Sequence, residues 1–197
     1  MPRHSRLLAL LFLVPVVAFA HTDGGATGSG FLSGLLHPVT GVDHVIAMVA
    51  VGLWGAQLGA PAMWMLPVAF PLIMALGGAM GAAGLPLPGI EIGIALSGLL
   101  LGLVVAGNVR PPLALAVVLV SFFAVFHGYA HGAEMPGFAN PLAYAAGFVI
   151  ATGLLHLCGI VVGLLWSWPG GAPWGRWVVR ASGATIAALG GWFLLAG

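Results

Sequence analysis

The chain has no lysine, and its five arginines stand against only four acids. Without lysine there is no GxxxxGK[ST] phosphate loop and no Schiff-base amine, which excludes nucleotide hydrolysis by that route and lysine-dependent covalent catalysis. A formal charge of +1 provides no basic footprint for nucleic acid. One cysteine, Cys158, permits neither an internal disulfide nor a CxxC metal or redox pair. Charge of either sign is scarce: 5% of residues, against about 25% in an ordinary soluble domain.

Apolar sequence fills the gap. Hydrophobic residues make up 61% of the chain and mean hydropathy is +1.14. Such a composition cannot cover a globular surface with polar groups, so the solvent is a lipid bilayer and the fold class is all-α, a polytopic helix bundle. The 32 glycines and 14 prolines fit that setting, where small residues let helices approach closely.

Arg3 and Arg6 precede an apolar run from Leu7 to Phe19, and Ala18-Phe19-Ala20 has the small-x-small form of a cleavage site. Residues 1–20 therefore read as a secretory signal peptide, and residues 21–197 as the membrane domain. Six apolar stretches follow, each near the length of about 20 residues needed to cross a bilayer. They run Phe31–Leu58, Met63–Ala83, Gly89–Gly107, Leu113–Gly132, Pro141–Trp166 and Trp174–Ala196, separated by Gly- and Pro-rich breaks. With the N-terminus outside, Arg110, Arg176 and Arg180 fall at the third and fifth breaks, on the cytoplasmic side. The positive-inside rule thus agrees with the signal peptide on orientation. Gly89/Gly93 and Gly98/Gly102 have small-xxx-small spacing for helix contact, and Pro67 and Pro71 should kink the second span.

The few polar residues within these spans carry the functional reading. An aspartate at the centre of a membrane helix costs about 2.5–3.5 kcal/mol on an insertion scale, so each acid needs a reason. Asp43 and His44 stand early in the first span, close to His37; Glu91 opens the third; His127, His131 and Glu134 close the fourth. On the derived topology all of them fall in the outer half of the membrane. His127, His131 and Glu134 are spaced i, i+4, i+7 and share one helix face. His37 and His44 are seven apart, although Pro38 marks His37 as a helix-start residue. Asp43 either binds a cation or orients a histidine ring from behind. Four imidazoles and three carboxylates at one level make an N/O site suited to Ni²⁺, Co²⁺, Zn²⁺ or Cu²⁺. Ligation needs neutral imidazole, so uptake by such a site should weaken in acid.

Other candidates read as packing. His156, midway along the fifth span, reads as hydrogen-bonded helix glue; Cys158 points to the opposite face, and Met48 reads as core. Ser97 lacks a positioned base for hydrolysis, and nothing else suggests an enzyme. Paired intramembrane histidines could instead ligate haem, making a membrane cytochrome, or the site could bind metal in a non-transporting accessory protein.

The strings HPVTGVDHVIAMVAVGLW (His37 to Trp54) and FHGYAHGAEMP (Phe126 to Pro136) resemble the HupE/UreJ family of bacterial membrane proteins. The first has the HPxxGxDH form associated with that family, and the signal peptide and six spans are similar too. The resemblance implies permeation of nickel or cobalt across the inner membrane, with no tightly bound cofactor, supplying hydrogenase or urease maturation proteins. It implicates His37, Asp43, His44, His127, His131 and Glu134; Glu91 enters from the charge argument alone. After cleavage, His21 would be the new N-terminus, with an amine and imidazole able to capture metal.

Overall fold

The computed structural model describes residues 30–135, 140–167 and 173–196. The expected signal peptide and His21 lie outside the described residues. Within them the only regular structure is helix: α1 (Gly30–Thr40), α2 (Val42–Leu58), α3 (Ala62–Ala82), α4 (Ile90–Gly107), α5 (Leu113–Ala133), α6 (Pro141–Gly163) and α7 (Pro173–Ala196). Helices satisfy their own backbone groups, which lipid cannot do. Five are long and apolar enough to cross a membrane, and α1 with α2, bent between the two helices, is a sixth candidate span. The protein is a multi-pass membrane protein.

That sixth span differs from the sequence expectation. Phe31–Leu58 is not one continuous helix; it breaks at Gly41 and bends by 83°. Pro38 lies inside α1, so His37 sits in the last turn of a helix and not at its start. Pro67 and Pro71 fall within α3, which is assigned as one continuous helix. Elsewhere the punctuation works as local chemistry requires. Gly59, at φ +81, ends α2 in a conformation that a side chain would strain. Asn140 caps α6 by accepting from the backbone N–H groups of Leu142 (3.0 Å) and Ala143 (3.1 Å), with Pro141 at the first helical position.

The helices pack in sets held by small residues. α3 lies on α5, α4 on α7, and α6 on both α1 and α2. Gly98 and Gly102 of α4 approach the backbone of α7 as their spacing suggested. Gly89 and Gly93 do not form the expected pair: Gly89 turns the chain at φ +71 with nothing within 4 Å, while Gly93 makes room for the ring of Phe126. The small residue was right, but only one of the two meets a neighbour.

The two ends of the bundle differ in chemistry. At one end, side-chain donors hold the last turn of α4 and the residues after it: Trp54 Nε1 donates to Val109 O (2.9 Å), Gln57 Nε2 to Val105 O (3.1 Å) and Arg180 Nε to Ala106 O (2.9 Å). The guanidinium groups of Arg110 and Arg176 lie 6.0 and 5.7 Å from the Trp166 ring at the same end. At the other end Tyr129 Oη donates to Leu85 O (2.6 Å), closing the α3–α4 loop onto α5. The acids Asp43, Glu91 and Glu134 all belong to this second end, where α2 and α4 begin and α5 finishes. Among the described residues, arginines and acids thus stand at opposite ends of the bundle.

Candidate metal centre

The break at Gly41 builds the mouth of the site. A Cβ there would stand 2.9 Å from Asp43 Oδ1 and 3.0 Å from His44 Nδ1, so the missing side chain is the space into which both groups fold. Asp43 Oδ1 accepts from the His44 backbone N–H and from His44 Nδ1, both at 2.9 Å. A carboxylate can only accept, so the ring proton sits on Nδ1 and Nε2 keeps its lone pair. His44 is 9% exposed, and its Nε2 is buried with no hydrogen-bond partner. Of the two roles open to Asp43 in the sequence, the geometry favours orientation of the histidine from behind.

α5 supplies the facing side chains. Glu134, His131 and His127 follow one another inward from the helix end, and His131 is buried with neither ring nitrogen partnered. Its ring lies 4.8 Å from His37 and 4.4 Å from His44, centroid to centroid. His37 Nε2 meets Glu134 Oε2 at 3.2 Å. Donor atoms of His37, His131 and Glu134 lie within 4.8 Å of one another, close enough to serve one ion after small side-chain movements.

His127 sits one turn deeper, fully buried, with its ring 4.7 Å from His44. Ser97 determines its proton. Ser97 Oγ lies 2.6 Å from Ile94 O and 2.8 Å from His127 Nε2. Its single hydrogen goes to the carbonyl, so Oγ accepts from Nε2–H, and Nδ1 is left as a buried lone pair without a partner. The hydroxyl that sequence reasoning set aside as a poor nucleophile therefore fixes a histidine tautomer. Only the spacing of Ser97, on the face of α4 that meets α5, hinted at this.

A cavity of about 200 Å³ joins these groups, lined by His37, Asp43, His44, Glu91, His131 and Glu134. A water needs about 10–15 Å³ by this measure, so a cation can enter with part of its hydration shell. Six of the seven candidate residues share this cavity, and His127 lies beneath it. Three carboxylates rim the mouth, and unpartnered imidazole nitrogens lie below. Leaving a buried polar atom unpaired costs about 1–3 kcal/mol, so these nitrogens are free to bond water or a cation that enters the cavity.

Sequence reasoning missed several neighbours. Phe70 of α3 packs its ring 5.6 Å from His127. Tyr144 of α6 lies 5.9 Å from the His37 ring, its hydroxyl buried and unpaired. His156 was read as hydrogen-bonded glue, but both its ring nitrogens are buried without partners. Cys158 is exposed, on another face of α6, and Met48 is wholly buried in the core, as expected.

Fold and site together define a polytopic membrane protein whose spans converge histidines and carboxylates on a polar cavity at one end of the bundle. The HupE / UreJ protein family matches residues 8–193, and the chain belongs to that family. It is 42% identical over 188 residues to Protein HupE of Rhizobium leguminosarum bv. viciae, covering 95% of this chain and 96% of that one. No solved structure matches it.

Proposed function

We propose that this protein is a non-enzymatic secondary or passive transporter. It moves a divalent transition-metal ion, nickel or cobalt, from periplasm to cytoplasm across the bacterial inner membrane, supplying hydrogenase or urease maturation. The supporting observation is the set of buried, unpartnered imidazole nitrogens on His44, His127 and His131, adjoining a cavity rimmed by three carboxylates. Imidazole and carboxylate together suit borderline divalent ions, while the mouth carries no thiolate for soft ones. The choice of nickel or cobalt rests on family membership.

The ion's charge supplies the drive. Each elementary charge crossing a potential of 100 mV, negative inside, gains about 2.3 kcal/mol, or about 4.6 kcal/mol for a divalent ion. At about 1.4 kcal/mol per tenfold, that sustains accumulation of about three thousandfold without a nucleotide. The orientation that puts the acids outside and Arg110, Arg176 and Arg180 inside sets the mouth on the side from which the ion enters. A haem reading fits less well: the His44 and His131 rings are 4.4 Å apart, with no gap between them for a macrocycle.

Vesicles reconstituted with the purified protein and loaded with a nickel-sensitive dye test the reading directly. Imposing a potential negative inside should accelerate Ni²⁺ entry well above that in protein-free vesicles. Binding without entry would leave only an accessory metal-binding protein, and an absorption spectrum of bound haem would replace the reading altogether. Glu134→Gln separates capture from passage. Its carboxylate is the more exposed member of the pair with His37, so its loss should raise KM about tenfold, within the usual range for ligand-shell changes. The maximal rate should fall less than threefold.

A further inference from the structure

We infer that His156, with Thr152 one turn nearer the mouth, forms a second cation station deeper in the bundle, separated from the mouth cluster by the ring of Phe70. The inference rests on the transport reading and adds an inner binding position to it.

His156 is 1% exposed and Thr152 is 0% exposed, and His156 Nδ1, His156 Nε2 and Thr152 Oγ1 all lack partners. The two are i, i+4 on α6 and share a face. A histidine serving as glue between helices would donate to a neighbouring carbonyl or hydroxyl, and this one does not. Phe70 stands between the two levels, 5.6 Å from the His127 ring and 5.5 Å from the His156 ring. At about 1.5 Å per residue, His156 lies about 22 Å along α6 from its start, beyond the mouth cluster and toward the arginine end. The rings thus form a string: His37, His131, His44, His127, Phe70, His156.

The chemistry of the two stations differs in a useful direction. The mouth offers three carboxylates; the inner pair offers one neutral imidazole and one hydroxyl. A borderline divalent cation is held there less firmly than among the carboxylates. Permeation requires sites favourable enough to enter and weak enough to leave, and a carboxylate-rich mouth followed by a carboxylate-free station has that order. Backbone packing fixes the inner level in place: a Cβ on Gly52 of α2 would fall on the carbonyl oxygen of His156, so α2 and α6 touch there with nothing between them.

The test compares binding with flux. Purified His156→Leu should bind Ni²⁺ at equilibrium within threefold of the unaltered protein, because the mouth is intact, while vesicle uptake falls at least tenfold. Thr152→Val, a near-isosteric change, should lower uptake about threefold. A cysteine distinguishes a ligand from a packing residue: His156→Cys in a Cys158→Ala background should make Ni²⁺ uptake sensitive to micromolar Cd²⁺, and Cys158→Ala alone should not. Uptake by His156→Leu at the unaltered rate, loss of binding together with uptake, or equal Cd²⁺ sensitivity in both backgrounds would overturn the inner station. Absence of Ni²⁺ uptake by the unaltered protein would instead sink the transport reading, and this inference with it.

Discussion

Replacing either His44 or His131 with alanine should lower nickel uptake about a hundredfold or more, and equilibrium binding with it. The expectation follows from where the lone pairs point. His44 Nε2 and both nitrogens of His131 are buried and unpartnered, and the two rings are 4.4 Å apart. A substitution behind a metal ligand already costs about 10–100-fold in affinity, so removal of the ligand itself costs at least the upper end. Neither change should unfold the protein, since these rings donate nothing across helices: His44 bonds only its neighbour Asp43, and His131 bonds nothing. Asp43→Asn provides the graded case. An amide can still accept from His44 Nδ1 but holds it less strongly, so uptake should fall by less than in His44→Ala. Radioactive nickel uptake and binding on the same preparations check all three. Unchanged flux in both alanine variants would remove the mouth cluster from the mechanism.

The membrane class was legible in the sequence because 5% charge leaves no other solvent, and the spans because Gly and Pro interrupt them. The mouth cluster was legible for a related reason. An acid or imidazole in a lipid-embedded helix is costly, so Asp43, Glu91 and the His127–His131–Glu134 face declared themselves by spacing alone. What the sequence hid was everything that depends on how helices meet. The 83° bend at Gly41 turns the His37–His44 spacing into a corner, which no helical period describes. Ser97 reaches His127 across thirty residues of sequence, and its role depends on whether its proton goes to Ile94 or to the ring. His156 read as glue because a single histidine carries no pattern. Its isolation becomes visible only once the packed neighbours are known to offer it no bond.

The second large effect concerns α3 and α5, whose contact positions the whole α5 face. A Cβ on Gly128 would fall on the carbonyl oxygen of Met74, and one on Gly132 on that of Gly78; in return Gly77 and Gly81 face the carbonyls of Val125 and Tyr129. Backbone meets backbone at four points, so no flexible side chain can give way. Overpacking a core ordinarily costs about 1–3 kcal/mol. Gly128→Ala should sit at the top of that range, and Gly128→Leu should not yield a folded protein. Gly153→Ala on α6 is the matched control: nothing lies within 4 Å of its Cβ, so the only change is helix propensity, worth about 0.5–1 kcal/mol in favour of alanine. Thermal unfolding in detergent should therefore show a large fall in midpoint for Gly128→Ala and none for Gly153→Ala. The functional consequence follows from position, since Gly128 adjoins His127 and lies one turn from His131. Any separation of α5 from α3 moves both rings away from His44, so metal binding should fall in Gly128→Ala even at temperatures where it stays folded. If binding is untouched while the midpoint drops, the α3–α5 contact serves stability only and the α5 histidines are held by something else.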